Sequence, residues 1–97
     1  MNYWLHPEAQ DDLREAAEYF RTKAGIALSQ SLLQEFEHSV SLLLEHPGLG
    51  MIWRNGKRRL VMRRFRYALI YTVAGDQLRI LAVAHHSRRP GYWRGRK

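Results

Sequence analysis

The chain contains no cysteine, which excludes disulfide staples and thiolate metal ligands and suits a reducing cytosol. It also lacks any run near the roughly 20 consecutive apolar residues of a membrane-spanning helix. Its start, Met1-Asn2-Tyr3-Trp4-Leu5, has no basic region and reaches Pro7 after one short apolar run. No signal peptide is read there, and a cytoplasmic setting without a membrane partner is expected. Internal repeats, linkers and low-complexity segments are missing too. Negative charge is scarce in the second part of the chain: from Arg54 onward Asp76 is the one carboxylate, beside 13 Lys and Arg.

That scarcity is the most informative feature. The first 53 residues carry three Lys or Arg against eight carboxylates, a net charge of −5, and the last 44 carry +12. At 97 residues the chain is expected to be one domain, 1–97, burying roughly 60–65% of its unfolded surface. Within one domain, the split places a basic face opposite an acidic one, and a basic face concentrates polyanions and speeds their encounter.

Hydrophobic periodicity sets the elements. Tyr3-Trp4-Leu5 reads as a brief strand. Pro7 suits a first helical turn, and Glu8, Asp11 and Asp12 complement the helix dipole there. Ala9, Leu13, Ala16, Ala17, Phe20 and Ala24 recur at helical spacing until Gly25. Leu28, Leu32, Leu33, Phe36, Val40, Leu43 and Leu44 form a second stripe, ended by His46-Pro47-Gly48. Two helices, about 7–24 and 26–45, therefore pair as an antiparallel hairpin. From Lys57 the period becomes extended, and Arg59 to Arg64, Tyr67 to Val73 and Leu78 to His85 suit strands. Ala74-Gly75-Asp76-Gln77 joins the last two as a hairpin. Leu78 to Ala84 is apolar on both faces apart from Arg79, which marks a central strand. The fold class is α+β, in the order β-α-α-β-β-β, with a helical hairpin on a small, mainly antiparallel sheet.

Two clusters can carry chemistry. Leaving the last strand, His85-His86-Ser87-Arg88-Arg89-Pro90-Gly91-Tyr92-Trp93-Arg94-Gly95-Arg96 offers guanidinium forks for phosphates and aromatic rings for unpaired bases. Arg remains protonated and cannot act as a base, so His85, His86 or Tyr92 would have to move protons in an RNA cleavage. In the alternative, Tyr92 and Trp93 fold back to cap the core and the arginines keep the chain soluble. The two histidines point to opposite faces if the strand runs through both, and no metal or other cofactor is expected. The second cluster is Arg54, Lys57, Arg58, Arg59, Arg63, Arg64 and Arg66, a density beyond what protects an edge strand, and it is read as polyanion-binding. Trp53 beside it is either a core plug or an anchor for a partner.

Taken together, these residues resemble the RelE/ParE superfamily of toxins from bacterial type II toxin–antitoxin modules, also called plasmid stabilisation proteins. The matching pieces are Pro7-Glu8-Ala9 with Asp12-Leu13, Glu45-His46-Pro47-Gly48-Leu49-Gly50, Arg58-Arg59-Leu60, Phe65-Arg66-Tyr67-Ala68-Leu69-Ile70-Tyr71, and Ala82-Val83-Ala84-His85 with Arg88, Pro90, Tyr92 and Trp93. The resemblance implies growth inhibition relieved by an acidic cognate antitoxin in a toxin–antitoxin hetero-oligomer. It also implies one of two modes of action. RelE-type members are ribosome-dependent mRNA endonucleases, in which Arg88, Tyr92 and His85 would be the catalytic set. ParE-type members act on DNA gyrase without cleaving RNA. Ala68, standing where the RelE type commonly has an Arg, and the His46–Gly50 turn lean towards ParE, while Arg88 and Tyr92 lean towards RelE. In either mode Arg58, Arg59, Arg63, Arg64, Arg66, Arg89 and Trp93 are the expected nucleic-acid or target contacts. A basic RNA-binding module without toxicity is the third reading.

Overall fold

A computed structural model describes residues 1–89 and 91–96; Pro90 and Lys97 lie outside the described residues. Seven elements follow one another: β1 (Asn2–Leu5), α1 (Pro7–Ala24), α2 (Ile26–Glu45), β2 (Met51–Ile52), β3 (Arg58–Val61), β4 (Tyr67–Ala74) and β5 (Gln77–His85). The sheet order is β1-β5-β4-β3-β2. β1 runs parallel to β5, and the other three pairings are antiparallel. β5 is flanked on both sides, as its two-sided apolar sequence predicts.

The helical boundaries coincide with the expected ones for local reasons. The His6 ring accepts the Glu8 amide through Nδ1 at 3.0 Å, and Pro7 occupies the first turn. Gly25 alone links the helices with φ +105°, a backbone conformation in which a side chain would be strained. The helices are tied across their contact by buried Ser29, whose hydroxyl donates to the Ala17 carbonyl at 2.8 Å. Ala9 and Ala16 are buried, and their small side chains let α1 lie close to β5. The main core combines Leu32, Phe36, Val40 and Leu43 with Leu69, Tyr71, Leu78, Ile80 and Val83.

Two expectations for the sheet are corrected. β3 ends at Val61 and does not continue to Arg64. The Met62 amide donates to the Tyr67 carbonyl at 2.9 Å, which turns the chain and places Arg63, Arg64 and Arg66 on a bend. β2, with only two residues, is an additional strand. Its hairpin closes where the Trp53 amide donates to the Lys57 carbonyl at 2.8 Å.

The turn from Pro47 to Gly50 is built around a fully buried phenol. Tyr71 donates to the Pro47 carbonyl at 2.7 Å and accepts the Gly50 amide at 2.9 Å. A Cβ at Gly50 would lie 2.6 Å from the Tyr71 oxygen and 3.0 Å from the Arg59 carbonyl, so no larger residue fits there. Arg58 donates to the carbonyls of Gly50 (2.8 Å) and Gly48 (3.2 Å). This guanidinium was expected at a binding surface; the geometry engages it in holding the turn.

Candidate functional site

The C-terminal segment folds back over the face of the sheet opposite the helices. Trp93, 6% exposed, packs there on Ile70 and Ala82 beside Tyr92. Its ring is held in this second core. What anchors the segment is Asp12 on α1. β1 stops at Leu5, opposite Ile80, so the edge of β5 beyond that point lacks a strand partner. Asp12 takes its place: Oδ2 accepts the Val83 amide (3.1 Å), the Tyr92 hydroxyl (3.1 Å) and an Arg96 guanidinium N–H (2.6 Å). The Asp12 and Arg96 side chains are 7% and 10% exposed, and Glu8 adds a longer ionic contact to Arg96 at 3.5 Å.

This latch decides what Tyr92 can do. Burial, and next the Asp12 carboxylate, push its phenol up to about 12. A group so far from neutral pH is a poor proton donor or acceptor in catalysis. Arg88 lies over the Tyr92 ring, 3.9 Å from its centroid, so the expected pair is brought together through ring stacking while the hydroxyl is engaged elsewhere.

His85 ends β5, and His86 already lies in a turn, so the strand does not run through both rings. The Ser87 amide can only donate, and it reaches His85 Nδ1 at 3.0 Å, with the Ser87 hydroxyl 2.6 Å from the same nitrogen. The His85 ring meets Tyr67 edge-on at 4.9 Å. His86 is exposed; partial desolvation and then the cations Arg59 and Arg66 hold its pKa below the usual histidine value. Among the described residues no group of three His, Cys, Asp or Glu could hold a metal.

Two surfaces flank the latch. The first is a groove between α1 and the ends of β4 and β5, formed by adjoining cavities of about 370 and 350 Å³ that share Tyr19, Phe20, Tyr67 and His85. Phe20 meets Phe65 edge-on at 5.3 Å and Tyr67 at 6.3 Å, and Tyr19 is 56% exposed. Arg88 lines one end of this groove, Arg64 and Arg66 the other. Phe20 was expected simply as core; its half-exposed position makes it a groove wall as well. The second surface is a cleft on the open sheet face, where Arg59, Arg88 and Arg89 gather around Trp53 over Ile70 and Ala84. The expected cation cluster is therefore divided: Arg63, Arg64 and Arg66 at the bend, Arg59 in the cleft, Arg58 in the turn.

A family model for the ParE toxin of type II toxin–antitoxin systems, parDE, matches residues 3–90. The chain belongs to the ParE toxin family. Among solved structures, a chain from the chromosomal ParDE toxin–antitoxin system of P. aeruginosa shares the fold with a TM-score of 0.78. It is 20% identical, over 88% of this chain and 95% of that one. No curated protein matches by sequence. As the toxin of such a module, this ParE-family chain has an antitoxin as partner. No helix among the described residues is long and apolar enough to cross a membrane.

Proposed function

We propose that this ParE-family toxin arrests growth by contacting DNA gyrase, not by cutting RNA, and that an acidic antitoxin silences it in a hetero-oligomer. The observation that carries the reading is the engagement of Tyr92 by Asp12. A 2′-hydroxyl cleavage needs groups that give and take protons near neutral pH, and the Tyr92 phenol, one of three groups expected for that work beside His85 and His86, is pushed up to about 12. Ala68, 1% exposed, supports it further, because it leaves no cation at that sheet position. What remains is a set of exposed arginines around rigid aromatic surfaces, suited to protein contact.

For the antitoxin, the groove walled by Tyr19, Phe20 and Tyr67 is the favoured seat. Apolar side chains of an amphipathic segment fill its cavities, and carboxylates on that segment meet Arg64, Arg66 and Arg88 at the rim.

The purified chain, added to gyrase with relaxed plasmid and ATP, is expected to block supercoiling or to accumulate cleaved plasmid, and prior addition of antitoxin restores the reaction. Supercoiling unchanged at large molar excess of toxin contradicts the gyrase reading.

A further inference from the structure

On the open sheet face lies the cleft around Trp53. Its larger part, about 280 Å³, is lined by Arg59, Arg88 and Arg89. A smaller part of about 140 Å³ shares Trp53, Gly91 and Trp93 with it and adds Arg54, Lys57 and Arg94. Among the described residues no carboxylate lines either part. Arg54, Arg88, Arg89 and Arg94 are exposed, and none of the four forms an ion pair among the described residues. The indole of Trp53 is 38% exposed, whereas its neighbour Trp93 is buried and fixes the floor.

We propose that this cleft binds a single-stranded polynucleotide, with phosphates along Arg59 and Arg89 and a base against Trp53. The chemistry fits on both counts. Guanidinium groups pair bidentately with phosphodiester oxygens, and an aromatic face stacks on a base whatever its sequence. An acidic amphipathic peptide is less suited to this face. Such a peptide buries a continuous apolar stripe, whereas the apolar floor here, Ile70, Ala84 and Trp93, is ringed by cations; the aromatic groove offers walls of Tyr19, Phe20, Phe65 and Tyr67 instead. A duplex is too broad to enter cavities of this size. The inference does not depend on gyrase being the target.

The test is fluorescence anisotropy of labelled thymidine or uridine oligonucleotides of about ten residues, titrated with the full chain across a salt series. Three or four phosphate contacts give a slope of log affinity against log salt of about −2 to −3. Trp53→Ala weakens binding about 5- to 100-fold, and Trp53→Phe, which keeps an aromatic face, retains most of it. Arg59→Gln with Arg89→Gln costs about tenfold and flattens the slope by about 1.4. Arg14→Gln with Arg21→Gln removes equal charge from the helical side and changes affinity less than about twofold. Binding of either strand supports the proposal, and the tighter of the two identifies the sugar. Absence of binding to both at low salt overturns it. So does equal binding of polyglutamate with no response to Trp53→Ala, which would mark an acidic-peptide surface. Equal losses from the two arginine pairs, which would mark net charge alone, also overturn it.

Discussion

Replacing Asp12 by Ala is expected to destabilise the chain by about 3–5 kcal/mol, the usual cost of leaving one member of a buried ion pair unpaired. Three donors lose Asp12 as an acceptor together: the Val83 amide at the β5 edge, the Tyr92 hydroxyl, and Arg96. Tyr92 keeps only a longer contact to the Val83 carbonyl (3.4 Å), and Arg96 keeps the Leu81 carbonyl (3.1 Å) and Glu8 (3.5 Å). Against a total stability of about 5–15 kcal/mol for a domain, such a loss is a large fraction of the whole. Equilibrium denaturation measures it, and hydrogen exchange over residues 91–96 locates it, because the tail amides should exchange faster than those of β4. Adding Arg96→Met to Asp12→Ala should recover part of the loss, since the stranded charge is then gone. A cost of Asp12→Ala below about 1 kcal/mol would show that water, not the latch, satisfies these groups.

A second large effect is expected in antitoxin association. Arg63 and Arg64 are exposed on the bend beside the aromatic groove, without ion-pair partners among the described residues. Charges in such positions steer encounter more than they hold a formed complex. Reversing both to Glu should slow association by about tenfold or more at low salt, with dissociation changed only about two- to threefold. The difference from the unaltered chain should shrink as salt rises and screening shortens the reach of the field. Surface-immobilised antitoxin and a stopped-flow or biosensor reading of both rates provide the check. An on-rate indifferent to salt and to the reversals removes the bend from the docking surface.

Much of the fold was legible because local signals agreed. Pro7, Gly25 and Pro47 punctuate two apolar stripes, and the helices end where those residues demand. β5 was legible from its two-sided apolar character, which only a flanked strand explains. The overrun at β3 has an equally local cause. Arg59, Val61 and Arg63 alternate with Leu60 and Met62 just as in a strand, and the bend from Arg63 to Arg66 contains no Gly or Pro to announce it. β2 is too short to leave a pattern.

The site was less legible because it depends on long-range closure. Tyr92 and Arg96 meet Asp12 across 80 and 84 residues of sequence, and no local rule supplies that pairing. One signal was nevertheless present. Asp12 stands three residues after Ala9 and four before Ala16, on the buried side of α1, and an acid within an apolar stripe implies a buried partner. Reading it only as a helix-dipole residue concealed the latch. The role of Arg58 was concealed likewise, since its acceptors are turn carbonyls that carry no side-chain identity.

The most direct test of the central claim, a toxin whose Tyr92 is structural and not chemical, is induction of Tyr92→Phe in cells while mRNA integrity and plasmid supercoiling are followed together. The substitution removes one hydrogen bond to a carboxylate, a loss of about 1.5–3 kcal/mol in stability, and leaves the ring under Arg88. The account predicts that growth still stops, that supercoiling is disturbed and that mRNA remains intact. Rapid mRNA cleavage by the unaltered chain, abolished in Tyr92→Phe while the protein stays folded, would contradict it.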